Sequence, residues 1–496
     1  MRRWRVRVAF AGAAGCILLA GLAGTQVSPR PIAGRAATSE LALLAAKSAV
    51  ATRGFAARAS ELPGLAVLNA GGLAGVSSLS CPSDGNCAAV GAYTTASDEQ
   101  QGYVADEVHG TWRRAIEVPG LATLDHGASI ATQVSSVSCP SEGNCVAVGS
   151  YLPPTGYEVT FITDEVRDTW RPATRVPGLA AFNTFGDAAL YSVSCASAGN
   201  CVAVGVAFVP ATDNGQAFIV DEVHGTWRNA KEVPGLASLT GGAWSRALSV
   251  SCSSAGNCAV LGQYTPSGAS MGTTQGFVAD EVHGTWRPAL ELPGLAALNT
   301  AGSLVDLMIV SCASAGNCAA GGSYVDSYDR THAFVADEAD GAWQDASNIP
   351  GTGGYFQSGV WSLSCPSVGN CAAAGYGNFQ GFVVTQERGT WQEATQVPGL
   401  AALATSGSGS LSISCRSTGN CSAVGYYATS STNYQGFVAA QAGGTWQNAI
   451  EVPGLASLNT GDNAHADLVS CPRAGKCIIA GTYTDNTGHT QVFVTG

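Results

Sequence analysis

Eight times this chain writes two cysteines with five residues between them: Cys81/Cys87, Cys139/Cys145, Cys195/Cys201, Cys252/Cys258, Cys312/Cys318, Cys365/Cys371, Cys415/Cys421 and Cys471/Cys477. The first cysteines are separated by 58, 56, 57, 60, 53, 50 and 56 residues. Such a period means one supersecondary unit copied along the chain, each copy leaning on its neighbours for a core. Seven pairs have Gly-Asn before the second cysteine, and the last has Gly475-Lys476. A five-residue loop of this kind turns one strand back into an antiparallel partner. The flanking cysteines then face each other at bridging distance. Many pairings are formally open, and the repeat points to one, each pair closing its own turn. A seven-residue closed loop stabilises by only about 2 kcal/mol on the chain-entropy account, so the bridges are expected to clamp hairpins rather than close the fold. Zinc is the rival reading, but finger pairs usually have about two to four intervening residues, and each repeat offers only two thiols.

Each unit reads as four short strands. The first is of the "SSLSC" type, with an apolar residue between serines. The second, "CAAVGAY", carries a glycine four residues after the cysteine in all eight copies (Gly91, Gly149, Gly205, Gly262, Gly322, Gly375, Gly425, Gly481). Glycine fixed at one strand position predicts close backbone approach or a bulge. The third is "QGYVADEV", and after a tight turn comes the fourth, "GTWRRAIEVPGLA". Its tryptophans, Trp112, Trp170, Trp227, Trp286, Trp343, Trp391 and Trp446, are expected to pack between units. The last unit stops at "VFVTG", without a fourth strand, while "RGFAARASELPGLAVL" at 53–68 aligns without gaps to "HGTWRRAIEVPGLATL" at 109–124. The sequence therefore predicts an all-β, eight-bladed β-propeller of four-stranded blades, its ring closed by an N-terminal strand that completes the last blade. Seven blades is the alternative. The domain reading is 1–25 signal peptide, 26–52 linker or loose helix, and 53–496 propeller.

The stretch "SLSC…GNCAAVG…GYVADEVHGTW" resembles the blades of Asp-box and photosystem-assembly-factor-type propellers, over residues 53–496. The Asp-box turn itself is degraded to "VHGTW", "VRDTW", "ADGAW", "ERGTW" or "AGGTW". "ADEVHGTW" is also similar to the tryptophan-docking repeats of eight-bladed quinoprotein dehydrogenases. Both resemblances imply architecture rather than activity.

The N-terminus, "MRRWRVRVAFAGAAGCILLAGLAGTQ", places four arginines before an apolar run that ends in small residues, a secretory pattern. An uncleaved anchor is its competitor, and Cys16 in "GAAGC" suggests a lipoprotein acceptor only weakly. Export agrees with disulfides, which persist in oxidising compartments. The formal net charge is −12, a balance that repels nucleic acid and anionic lipid. No membrane contact is expected beyond the export segment.

Chemistry is sought first among recurring residues. Asp106-Glu107, Asp164-Glu165, Asp221-Glu222, Asp280-Glu281 and Asp337-Glu338 are paired carboxylates of the type a glycosidase needs. Occurring once per unit at one level, they read as solvated strand ends. His109, His224 and His283 occupy one turn in separate units, which does not converge ligands on a metal. Arg113, Arg171, Arg228 and Arg287 are likewise repeat grammar. No nucleophile elbow, phosphate loop or zinc helix is present. No catalytic residue, metal or cofactor is assigned.

Function is expected where the repeat breaks, on the rim formed by the loops after strands two and four. Trp244, Arg246, Tyr355, Phe356 and Trp361 depart most from their equivalents there and form the ligand-binding candidate. Phe185, Asp187, His126 and Asp467 add polar and aromatic variety. The reading is a secreted or cell-surface, monomeric, non-catalytic propeller that binds an extracellular envelope polysaccharide or protein. The alternatives are a propeller enzyme acting on glycans (hydrolase, lyase or quinoprotein-like) and a purely structural surface protein.

Overall fold

The computed structural model describes residues 57–124, 131–154, 156–181, 187–209, 214–269, 272–299, 305–473 and 475–496. The expected signal segment, the linker, His126 and Phe185 lie outside the described residues. All eight cysteine pairs are disulfides at the turn joining the first two strands of a unit: Cys81–Cys87, Cys139–Cys145, Cys195–Cys201, Cys252–Cys258, Cys312–Cys318, Cys365–Cys371, Cys415–Cys421 and Cys471–Cys477.

The bridges clamp hairpins, as the sequence predicts, and their buried cysteines also pack between units. Cys145, Cys201 and Cys318 are buried. Each lies in the core that its unit shares with the preceding one. Cys145 packs with Val90 and Val104 of unit 1, Cys201 with Val148 and Ile162 of unit 2, and Cys318 with Leu261 and Val278 of unit 4. The cause is strand alternation, because the second cysteine shares a face with the residues two and six positions on, Ala147 and Tyr151 in the case of Cys145. These bridges are therefore packing groups between units as well as clasps of a turn.

In unit 4 the first two strands are Ser245–Ser254 and Asn257–Tyr264, and the third is Gln275–Val282. The fourth strand read from sequence is broken in two: Thr285–Trp286 and Leu290–Glu291 pair separately with the third. The break has a cause. Between the pieces Ala289 turns its N–H away and donates it to the Pro234 carbonyl of unit 3 at 2.6 Å. The same alanine-to-proline bond recurs at every unit, from Ala115 N–H to Pro63 at 2.7 Å through Ala449 N–H to Pro398 at 2.7 Å. It is the structural reason for the repeated "A..VPGLA" string.

The first strand of each unit is innermost, and its serines explain themselves. An edge strand has backbone N–H groups with no ladder partner. Here the serine before each first cysteine accepts the N–H of the next unit's cysteine. Examples are Ser80 from Cys139 at 2.9 Å, Ser194 from Cys252 at 2.9 Å and Ser364 from Cys415 at 2.9 Å. Ser470 of unit 8 accepts the N–H of Cys81 in unit 1 at 3.1 Å.

Each inner strand also carries a one-residue bulge four residues before its cysteine, as between Ala247 and Ser249 or between Val360 and Ser362. The bulge tips a backbone carbonyl onto the recurring glycine of the second strand. A Cβ on Gly262 would collide with the Arg246 oxygen, and one on Gly375 with the Gly359 oxygen. Bulge and close approach are therefore one feature, and only glycine fits it.

The hydrophobic cores lie between units, not within them. One combines Val204, Ile219 and Leu236 of unit 3 with Val250, Phe277 and Trp286 of unit 4. Another joins Leu62, Leu65 and Val492 to Ala74, Tyr93 and Tyr103 of unit 1. Successive four-stranded antiparallel sheets that share cores face to face are β-propeller architecture. At the N-terminal end Ser60–Glu61 pairs with Thr490–Val494, Glu61 opposite Phe493, as Ile116–Glu117 pairs with its own unit through Glu117 opposite Tyr103. No described helix is long and apolar enough to cross a membrane.

Candidate ligand-binding site

The two rims have different chemistry. On one, the cysteine turn and the tryptophan turn of a unit touch: Gly110 N–H donates to Gly85 at 2.8 Å and Gly284 N–H to Gly256 at 2.9 Å. His109, His224 and His283 sit here at φ of 52°, 51° and 50°, as the first residue of a tight turn. Their backbone N–H groups donate to the side chains of Asn86, Asn200 and Asn257. Clefts of about 420, 270 and 340 Å³ recur between units on this rim.

The paired carboxylates are not solvated, contrary to the expectation from sequence. Asp106 is 9% exposed and Glu107 2%. The reason lies in the next unit, whose tryptophan covers them: Trp170 Nε1 donates to Asp106 at 2.9 Å and Trp286 Nε1 to Asp221 at 3.1 Å. Burial raises Asp106 to about 6 and Glu107 to about 7. Repetition at one level signalled a shared structural task, and the task is joining units.

On the other rim the inner strands diverge. Three positions per unit face this mouth: the residue six before the cysteine, the bulged residue four before it, and the residue after the repeat glycine. In units 1 and 2 they are small or short, Gly75, Ser77 and Ala92, then Gln133, Ser135 and Ser150. From unit 3 onward each unit has at least one large, charged or aromatic residue among the three (Tyr191, Arg246, Asp306, Trp361, Tyr426 and His465), beside small ones such as Ala189, Ser323, Gly359 and Gly409. Several of the large ones touch across units. Ser150 donates to Glu158, whose own N–H donates to Asp187 at 3.0 Å. Tyr191 stands close to both Arg246 and Glu158. Arg246 donates twice to Gln263, at 3.1 and 2.9 Å, and stands 3.9 Å from Asp306.

The guanidinium also lies over the Trp244 ring, 5.3 Å from its centroid. Tyr376 is beside Asp306 and its ring is 5.0 Å from Trp361. Tyr426 follows, with His465 at 4.8 Å and Tyr434 at 5.9 Å. Asp467 closes the series, accepting from Thr482 at 3.2 Å. Burial raises Asp467 to about 7 and lowers His465 to about 4, which leaves the imidazole neutral at physiological pH. The buried indole N–H of Trp361 has no hydrogen-bond partner among the described residues.

Of the residues singled out from sequence, Trp244, Arg246 and Trp361 belong to this arc. Asp187 and Asp467 do too. Tyr355 instead packs on the core between units 5 and 6, with its ring against Gly377. Phe356 is 60% exposed beside the turn of unit 6, its N–H held by Asn378 at 2.8 Å. That turn is the two residues Asn378 and Phe379, between Asn370–Gly377 and Gln380–Glu387. Both have positive φ, 49° and 64°, and a phenylalanine in that region is uncommon. Phe379 is 69% exposed, so unit 6 presents two bare phenyl rings next to the arc.

Tyr191, Gln263, Asp306, Tyr376, Tyr426, Tyr434 and His465 are the members of this group that the sequence did not single out. The signal was available as columns counted back from the cysteine and forward from the glycine.

The arc offers aromatic faces, polar groups that are partnered such as Arg246 and Gln263, and the indole N–H of Trp361 without a partner among the described residues. It presents no excess cation, since Arg246 is matched by Asp306. Among the described residues no group of acidic, histidine or cysteine side chains could hold a metal.

No family model matches the chain, and no curated protein matches it. Similar solved structures include YCF48 from Cyanidioschyzon merolae, at 13% identity and TM-score 0.40 over 74% of this chain and 95% of that one. Another is the β-propeller domain of the Trilobed protease from Pyrococcus furiosus, at 10% identity and TM-score 0.44 over 77% and 97%. A Hadza microbial sialidase is similar at 12% identity and TM-score 0.36, over 80% and 73%. The architecture rests on the sheets and joints described above, and the arc at its inner mouth is where the repeat gives way to individual chemistry.

Proposed function

We propose that this is a secreted, non-catalytic, eight-bladed propeller that binds a neutral envelope polysaccharide at the inner mouth of its ring. The observation that carries the reading is the group of aromatic and polar side chains that appears where units 1 and 2 have small ones, from Glu158 through Arg246, Tyr376 and Tyr426 to Asp467. Aromatic faces stack on the apolar faces of sugar rings, and convergent paired polar groups read hydroxyls. An acidic glycan is disfavoured by Glu158, Asp187 and Asp306 around a single, already paired arginine. The eight disulfides fit an oxidising, extracellular setting.

Ring closure by the N-terminal strand is supported by three bonds, two of which recur at every other joint and one of which recurs in unit 7. Ala59 N–H donates to Pro453 at 2.7 Å. Tyr483 donates to Glu61 at 3.1 Å, as Tyr427 does to Glu451 at 3.0 Å. Cys81 N–H donates to Ser470.

The test is retention of the secreted protein on a panel of immobilised neutral and acidic polysaccharides. Neutral matrices should retain it and the Trp361→Ala variant should not be retained. Retention on acidic matrices alone would contradict the reading. A second reading, cleavage of the same polymer, is favoured by Asp467, a carboxyl kept near pH 7 in the mouth as a general acid must be. Release of reducing ends during the same incubation, lost in Asp467→Asn, would decide for it.

A further inference from the structure

Five equivalent joints link units 1 to 6 on the cysteine side. In each, an acidic or amide residue of the third strand lies opposite its own unit's tryptophan: Glu165 with Trp170, Glu222 with Trp227, Glu281 with Trp286, Glu338 with Trp343 and Gln386 with Trp391. That tryptophan donates to an aspartate of the preceding unit, respectively Asp106, Asp164, Asp221, Asp280 and Asp337. Register therefore puts two acid-type side chains from neighbouring units at every joint.

One joint shows how they meet. Gln386 Nε2 donates to Asp337 at 2.9 Å, and Trp391 donates to the same carboxylate at 3.1 Å. At the other four joints a glutamate carboxyl stands where Gln386 presents its amide. These glutamates are almost wholly buried, Glu165 at 4%, Glu222 at 7%, Glu281 at 8% and Glu338 at 6% exposure. An ionised carboxyl there has no proton to donate and sets a second buried negative charge beside the aspartate. A neutral one offers an O–H in place of the amide N–H.

We propose that Glu165, Glu222, Glu281 and Glu338 stand as carboxylic acids at neutral pH, each donating a hydrogen bond to the aspartate of the preceding unit, so that protons close the joints. The charges around them are few. Glu165 is faced by Asp106, Asp168 and Arg113, and Glu222 by Asp164 and Arg171. Glu281 is faced by Asp221 and Lys231, and Glu338 by Asp280 and Arg287. Lys231 is committed to Asp221 at 2.6 Å. Burial, reinforced by the neighbouring aspartate, lifts Glu165 to about 8 and the other three to about 7. The sign follows from linkage: the folded chain holds protons that the unfolded chain releases above its ordinary carboxyl range of about 4.3. The stabilisation is complete in acid and is lost as the pH rises through 7 to 8. The joints thus tighten in acid and loosen in mild alkali.

Infrared spectroscopy of the full secreted chain tests this directly. Near neutral pH the parent should show a protonated-carboxyl carbonyl band that disappears as the pH is raised past about 8. The E165Q/E222Q/E281Q/E338Q variant should lose most of that band, and its melting temperature should no longer fall between mildly acidic and alkaline pH. Single variants such as E222Q, each removing part of the band, serve if the fourfold change does not fold. The converse Q386E should enlarge the band. An absent band near neutral pH, or one unchanged by these substitutions, overturns the proposal.

Discussion

Tyr483 donates a hydrogen bond to Glu61 across 422 residues of sequence, at 3.1 Å. The same tyrosine-to-glutamate contact closes unit 7 within itself, Tyr427 to Glu451 at 3.0 Å. The N-terminal strand therefore occupies the place that a local fourth strand occupies elsewhere. Deleting 53–64 should expose strand edges in units 8 and 1, lower the melting temperature and promote association. Deleting 26–50 should change neither property. Calorimetry and light scattering of the two deletions check this, and an unchanged monomer after the 53–64 deletion contradicts closure.

The tryptophan clasps should be costly to lose. Trp286→Phe keeps most of the apolar area but strips Asp221 of the indole N–H that it accepts at 3.1 Å. A buried group left short of a partner costs about 1–3 kcal/mol. Urea unfolding should show that loss, with Trp446→Phe closer to the parent, because Thr385 stands at the aspartate position of the preceding unit.

Gly262→Ala probes the bulge. Its Cβ would meet the Arg246 carbonyl oxygen and the Phe277 ring, and overpacking of this kind costs about 1–3 kcal/mol. Gly268→Ala, where a Cβ meets open space but the φ of 77° is unfavourable, should cost less, about 1 kcal/mol. Thermal melts that rank the two in the opposite order would contradict the close approach.

Opening one bridge should leave the rest of the fold standing. Replacing Cys252 and Cys258 by alanine opens a loop of sequence separation 6, worth about 2 kcal/mol, and keeps the buried Cys258 position apolar. Serine at Cys258 should cost more, because its hydroxyl would enter the core shared with unit 3. The alanine variant should remain folded, with hydrogen exchange raised near that hairpin and at the facing strands of unit 3. Loss of the whole fold would assign the bridges a larger role.

Much of this architecture was legible in the sequence because repetition multiplies every signal. Eight glycines in one column announced a backbone constraint, and the match of 53–68 to 109–124 pointed to a strand at Ser60–Glu61. What the sequence concealed was contact between units. Cys145, Cys201 and Cys318 were legible as half of a hairpin clasp, but not as core residues set against the preceding unit. Asp106 and Glu107 look like any solvated strand end until Trp170 of the next unit is laid over Asp106. The arc was concealed for a related reason. Arg246 and Asp306, like Tyr426 and His465, are far apart in the chain, and only the side-by-side packing of units makes each pair neighbours.

The measurement that bears most directly on the binding site is the affinity of folded variants for a neutral polysaccharide retained by the parent. Trp361→Ala and Tyr426→Ala should each weaken binding by about tenfold or more, equivalent to about 1.4 kcal/mol, with melting temperatures close to the parent's. The joint variant Trp286→Phe should bind as the parent does. Affinities for Trp361→Ala and Tyr426→Ala equal to the parent's would place the ligand somewhere other than the inner mouth.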